Sequence, residues 1–96
     1  MSKGYVIAQV DIHDQERYDT YRAGTPDSIA RFGGVFRVRG GSGESLEGDP
    51  PRARTVVIEF PSLEQAKAWY ASDEYTALRA IRQSAAVANV MIVEGV

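Results

Sequence analysis

The chain predicts an α+β domain of βαββαβ order, a four-stranded antiparallel sheet with helices on one face. Three observations carry that prediction. Four short runs rich in β-branched and aromatic residues are spaced along the chain. Two longer stretches between them repeat apolar residues at intervals of three and four, the helical period. Cap and turn residues stand at the joints between the two kinds of segment.

The first strand spans residues 5–12, with only Gln9 and Asp11 polar. Asp14 is placed to cap the helix that follows, and Glu16 sits in its positive first turn. Tyr18, Tyr21, Thr25, Ile29 and Phe32 form the buried stripe of that helix. Pro26 interrupts it, because proline lacks an N–H and crowds the preceding turn; the helix either kinks there or restarts with Thr25 as cap. Gly33-Gly34 supplies the left-handed residue that ends a helix.

The second strand covers residues 35–39 and the third residues 54–60. Gly40-Gly41-Ser42-Gly43 and Gly48-Asp49-Pro50-Pro51 lie between them, and the second strand is expected to resume over residues 44–47 after a bulge, making a long hairpin. Ser62-Leu63-Glu64-Gln65 is a capping-box pattern opening a helix with Leu63, Ala66, Trp69 and Tyr70. Ser72-Asp73 reads as a second cap, restarting a helix from Asp73 to about Ala85, and residues 88–94 form the fourth strand.

The 96 residues make one domain, 1–96, with 44% hydrophobic and 25% charged residues, an ordinary globular composition. A net charge of −2 favours neither nucleic acid nor an anionic membrane, and the positive Arg37, Arg39, Arg52 and Arg54 are interleaved with Glu44, Glu47 and Asp49. With no cysteine, disulfides, thiolate nucleophiles and Cys-ligated metals drop out together. A lone histidine leaves no site of three His or Cys ligands, so no metal is expected. No apolar run approaches a membrane span and the first residues lack a signal-peptide layout, so the expected location is cytoplasmic.

The strands YVIAQVDI, TVVIEF and VANVMIVE are nearly continuous apolar runs, the pattern of strands covered on both faces. Two helical regions cover one face only. A second copy of the chain is the expected cover for the other, giving a homodimer joined sheet to sheet by mostly dry packing.

Several segments occur together in a familiar order: GYVIAQVDI before a tyrosine-containing helix, RFGGVFRVRGG, Leu46-Glu47-Gly48, VVIEFPS, AWYASDEY and the turn from Arg79 to Arg82. Over nearly the whole chain they resemble the domain-of-unknown-function family 1330. The resemblance implies a ferredoxin-like fold in the dimeric α/β-barrel superfamily. It brings no activity with it, although the wider superfamily includes cofactor-free monooxygenases, haem-degrading enzymes and lactone isomerases. Haem-binding relatives need an axial ligand on the helical side of the pocket, where this sequence offers no His or Cys; no cofactor is expected.

Arg82 falls inside the helical stripe that should face the sheet, between Leu78 and Tyr75, with Arg79 beside it. A guanidinium there needs a partner, since an unpaired buried charge is costly. It is either an anion clamp for a ligand or one half of an internal pair with Glu59, Glu94 or Asp11. Arg37 and Arg39, alternating with Phe36 and Val38, should share a face, Arg39 next to the glycine bend; solvated edge charges explain them equally well. Glu59, in mid-strand, is either a buried carboxylate or an arginine's partner. Trp69, Tyr70 and Tyr75 surround the break between the last two helical pieces, as core or as a pocket wall. His13 is placed to act as an acid or base, or simply to be solvated.

The leading functional expectation is a cofactor-free site between sheet and helices for a small anionic or aromatic metabolite. Arg39 and Arg82 would hold the anion, Trp69 and Tyr75 would form a wall, and His13 or Glu59 would move a proton. The alternative is a non-catalytic dimeric binding or accessory module.

Overall fold

A computed structural model describes residues 2–96. In chain order the elements are β1 (Gly4–Ile12), α1 (Gln15–Ala30), β2 (Val35–Arg39), β3 (Arg54–Phe60), α2 (Leu63–Ala71), α3 (Asp73–Ala85) and β4 (Ala86–Glu94). The strands form one antiparallel sheet in the order β2-β3-β1-β4. The α+β class and ferredoxin-like βαββαβ order stand as read from the sequence. The molecule measures 34 × 32 × 17 Å, and its thin dimension leaves room for one sheet and one helical layer.

The caps work as expected. Asp14 accepts from the Arg17 amide at 3.1 Å, and Ser62 from the Gln65 amide at 3.2 Å. Ser72 serves both helices at the α2–α3 break: its Oγ donates to the Trp69 carbonyl at 2.7 Å and accepts from the Tyr75 amide at 3.2 Å. Gly33, at φ 75°, closes α1 while the Gly34 amide donates to the Ile29 carbonyl at 3.0 Å. Pro26 neither ends α1 nor restarts it; the helix runs through it to Ala30. The loss of its N–H instead frees the Arg22 carbonyl, one turn back. The Thr25 hydroxyl donates to that carbonyl at 3.1 Å.

Val6, Ile29, Ile58, Phe60, Ala66, Trp69 and Tyr75 form the main core between helices and sheet. The Trp69 and Tyr75 rings lie 3.9 Å apart at their centroids, and the Trp69 indole N–H donates to the buried Ser28 hydroxyl at 3.2 Å. That bond satisfies a donor that would otherwise be stranded in the core.

Two sequence expectations are corrected. Strand two does not resume over residues 44–47; residues 41–53 hold no strand, and part of this segment crosses the free face of the sheet. There the Arg52 guanidinium donates to Asp11 at 2.9 Å and also meets Asn89, while the Ala53 amide donates to Asp11 at 2.9 Å. Polar side chains on the ladder outcompete a second stretch of pairing. In addition, Arg37 and Arg39 do not share a face. A bulge between Phe36 and Val38 shifts the register, so that Val38 pairs with Val57 and Arg39 with Val56. Arg37 consequently reaches Glu59 on the free face, while Arg39 turns toward the helices.

The free face carries an apolar row across all four strands, Val38, Val57, Ile7 and Met91, paired in register. Val38 and Met91 are 39% and 53% exposed. The row is bordered by the Arg37–Glu59–Tyr5 and Arg52–Asp11–Asn89 networks, so this face is less uniformly apolar than the strand sequences imply. Among the described residues no helix is long and apolar enough to cross a membrane.

Candidate functional site

One residue out of step with the apolar row, a second row faces the helices: Arg39, Val56, Ala8 and Val90. Its three inter-strand steps span about 14 Å. Ala8, near the middle, is the smallest side chain in the row, and a narrow cavity of about 30 Å³ lies above it between sheet and helices. That volume holds about two waters.

The roof comes from α1 and α3. Tyr18 and Tyr21 face inward on α1, and Tyr75 and Arg82 on α3. The Tyr21 and Tyr75 hydroxyls are 2.8 Å apart. Burial first, then the neighbouring Tyr75, pushes the Tyr21 hydroxyl far above the ordinary tyrosine range. Tyr21 is therefore a neutral donor at physiological pH.

Three arginines converge on this space. Arg82 is 6% exposed, and its Nε is buried without a hydrogen-bond partner. Arg54, half-buried on β3, also has an unpartnered buried Nε, and its guanidinium stands 5.6 Å from the Tyr18 ring centroid. A side chain at position 40 would strike the Arg54 guanidinium, and Gly40 has φ 72°, so Arg54 occupies space that only glycine leaves free. Arg39 stands at the mouth, 4.4 Å over the Phe36 ring, its Nη2 donating to the Arg22 carbonyl at 3.0 Å. That is the carbonyl freed by Pro26. Partial burial, then the like charges of Arg22 and Arg54, lowers the Arg39 pKa from its ordinary value.

The carboxylates are elsewhere. Glu59 accepts from Tyr5 at 2.9 Å and Arg37 at 3.0 Å on the free face, and these bonds, Arg37 first, hold it below the usual carboxylate range. The Ala53 amide, then Arg52, does the same for Asp11. Glu94 is exposed at the end of β4 remote from α3. None of the three carboxylates weighed from sequence as a partner for Arg82 is bonded to it, and the cavity lining contains neither a carboxylate nor an imidazole.

Of the residues singled out from sequence, the cavity thus brings together Arg39, Trp69, Tyr75 and Arg82. His13 is exposed in the β1–α1 turn, where its amide donates to the Ala85 carbonyl at 2.9 Å, and does not line the cavity. Glu59 lies on the opposite face of the sheet. Tyr70 and Arg79 form an adjoining wall, the Arg79 guanidinium 4.4 Å from the Tyr70 ring centroid. Two grooves meet there. One of about 350 Å³ is lined by Val6, Lys67, Tyr70, Met91 and Ile92, the other of about 440 Å³ by Tyr70, Arg82, Gln83 and Ala88; Val90 borders both grooves and the cavity.

Sequence reasoning missed Arg54, Tyr21 and the Arg22 carbonyl. Arg54 had a usable signal: it is in alternation with Val56, Ile58 and Phe60, the core-facing side of β3. Tyr21 was read as core stripe, and nothing local announced that its hydroxyl would meet Tyr75, 54 residues on. The Arg22 carbonyl was predictable from Pro26, but its partner was not.

Comparison with known proteins agrees with this architecture. A protein of unknown function from Rhodopseudomonas palustris superposes with a TM-score of 0.78 at 17% identity, covering 99% of this chain and 83% of that one. SnoaB, a cofactor-independent oxygenase from Streptomyces nogalater, gives 0.62 at 9% identity, covering 97% and 92%. An EthD-family protein from Bacillus halodurans gives 0.50 at 16% identity over the whole of both chains. At these identities the likeness is one of fold. No curated protein matches in sequence. Residues 3–96 match the family described as domain of unknown function DUF1330, and the chain belongs to that family.

Proposed function

We propose that this protein binds a small organic anion, aromatic or enolic, its charged group in the cavity between sheet and helices and its body in the grooves that adjoin the cavity at Val90, and that it does so as a homodimer joined through the free sheet faces. The observation that carries the first part is the sorting of charge. Arg39, Arg54 and Arg82 line one cavity whose walls hold no carboxylate, and two of them keep a buried Nε without a partner. A buried guanidinium such as that of Arg82 is costly when uncompensated, and a bound anion supplies compensation. Proton transfer by His13 or Glu59 has no geometric support, because neither lines the cavity. Binding is therefore the primary reading, and no cofactor is invoked. The support for the dimer is the apolar row of Val38, Val57, Ile7 and Met91, exposed at Val38 and Met91 and half-buried between them, on a sheet with one helical layer.

The test is Arg82→Met, which keeps the bulk of the side chain and removes its charge. Isothermal titration with benzoate should show binding to the wild type and at least a tenfold loss in the variant. Stability should be unchanged or raised, since a desolvated charge has been removed. Glu59→Gln, on the other face, should bind benzoate normally. If a folded Arg82→Met binds benzoate as tightly as the wild type, the proposal fails.

A further inference from the structure

We propose that the cavity stabilises the oxyanion of a weakly acidic ligand, an enol or a phenol, binding it ionised and releasing its proton to water. This rests on the reading of the site as an anion pocket and goes further, because it assigns the ionisation to the ligand and an acidifying role to the protein.

The groups that line the cavity decide where a proton can go. From α1 it presents the Tyr18 and Tyr21 hydroxyls and Arg22; from α3, Tyr75 and Arg82; from β2 and β3, Arg39 and Arg54. The β1, β4 and α2 contributions are apolar, the Trp69 N–H being taken by Ser28. Guanidinium groups have no acceptor, phenols are in general O–H donors at neutral pH, and burial pushes the Tyr21 hydroxyl further up. No side chain in the lining can therefore act as base. Donors, by contrast, are in surplus. In the Tyr21–Tyr75 pair one hydroxyl donates to the other, which leaves the second hydroxyl's proton free for a third acceptor. Arg82 and Arg54, each with a buried Nε that has no partner, both line this cavity.

Such a set discriminates between two forms of one ligand. An oxyanion accepts charge-assisted hydrogen bonds that its neutral acid cannot match, and the surrounding low-dielectric walls strengthen each of them. Binding then shifts the ligand's own equilibrium. Its O–H bond breaks, the electron pair stays on oxygen, and the proton passes to bulk water because no lining group takes it. The apolar body of the ligand has a place as well. The grooves beside Tyr70, Ile92 and Ala88 share Val90 with the cavity, and Arg82 lines both the cavity and one groove. A ring seated in a groove would send its oxygen past Val90 to Arg82.

The experiment uses 4-nitrophenol, whose phenolate is coloured and reports its own ionisation. It is titrated with acid and base in the presence of excess full-length protein, by absorbance, with benzoate binding measured in parallel. The expected result is a fall in the midpoint of the bound probe by a unit or more, about a tenfold rise in the ionised fraction below the free midpoint. Arg82→Met should abolish that shift, and Arg54→Met serves in its place if Arg82→Met does not fold. If the probe binds with its midpoint unmoved or raised while benzoate still binds, the inference is overturned and the anion site stands. If neither compound binds, both fall together.

Discussion

Arg31, Arg37 and Arg52 each hold a carboxylate at 2.8 to 3.0 Å on the outside of the molecule, whereas Arg39, Arg54 and Arg82 face the cavity without one. The pairing of the outer group has its own readable consequence. Arg37, then the Tyr5 hydroxyl, lowers the Glu59 pKa from its ordinary value. A carboxyl whose folded pKa lies below its unfolded one stabilises the fold above the unfolded value and loses that contribution as pH falls through the folded value. In urea melts from pH 7 to pH 3, wild type should exceed Glu59→Gln at neutral pH. The gap should narrow below about 4.5 and close once Glu59 is protonated. A gap that widened toward acid would show that the pair opposes folding.

At the scale of elements, α1 and β2 are joined by one carbonyl. Pro26 withholds an N–H from the Arg22 carbonyl, and Arg39 of β2 shares that acceptor with the Thr25 hydroxyl. Pro26→Ala restores the missing donor. Stability should rise by about 1–2 kcal/mol, less than the full penalty of an interior proline because the unfolded chain gains freedom too. Benzoate affinity should fall, since Arg39 then competes for its anchor. Denaturation midpoints and titration together check both halves, and a variant with unchanged affinity would show that Arg39 needs no such tether. Element boundaries were legible in the sequence because caps act locally: Asp14, Ser62, Ser72 and Gly33 each mark a joint through bonds to residues a few positions away. The bulge in β2 was not legible, because it depends on which residues of β3 stand opposite. For the same reason Arg82 could be flagged on its helical wheel, but its surroundings could not be named. Glu59 and His13 are ordinary acid–base candidates by residue type, and only the tertiary arrangement shows that the sheet separates one from the cavity and the turn carries the other away.

For the molecule as a whole, the 17 Å thickness implies that half the sheet has no cover of its own. Ile7→Lys places a charge in the centre of the Val38–Val57–Ile7–Met91 row without touching the cavity lining. Sedimentation equilibrium should show the wild type as a dimer and the variant as a monomer with an unchanged far-ultraviolet circular dichroism spectrum. A dimeric Ile7→Lys would place the interface elsewhere. In the proposed dimer the flanking ion pairs would give the contact an alignment that an apolar stripe alone would lack, because like charges must not meet across a two-fold axis.

The bulge at Arg37 has one more consequence. Each strand is read in two interleaved frames, one spelling the cavity floor and the other the free face, and in β2 the bulge is the mark that resets the frame. Phe36 and Arg39 share the helical side at a spacing of three, which strict alternation forbids. Straighten the bulge without losing a residue and both messages change at once: the guanidinium of Arg39 would join the apolar row, and Val38 would take its place at the mouth of the cavity. Any change that straightens the bulge in β2 is therefore a change of meaning for ligand and partner together.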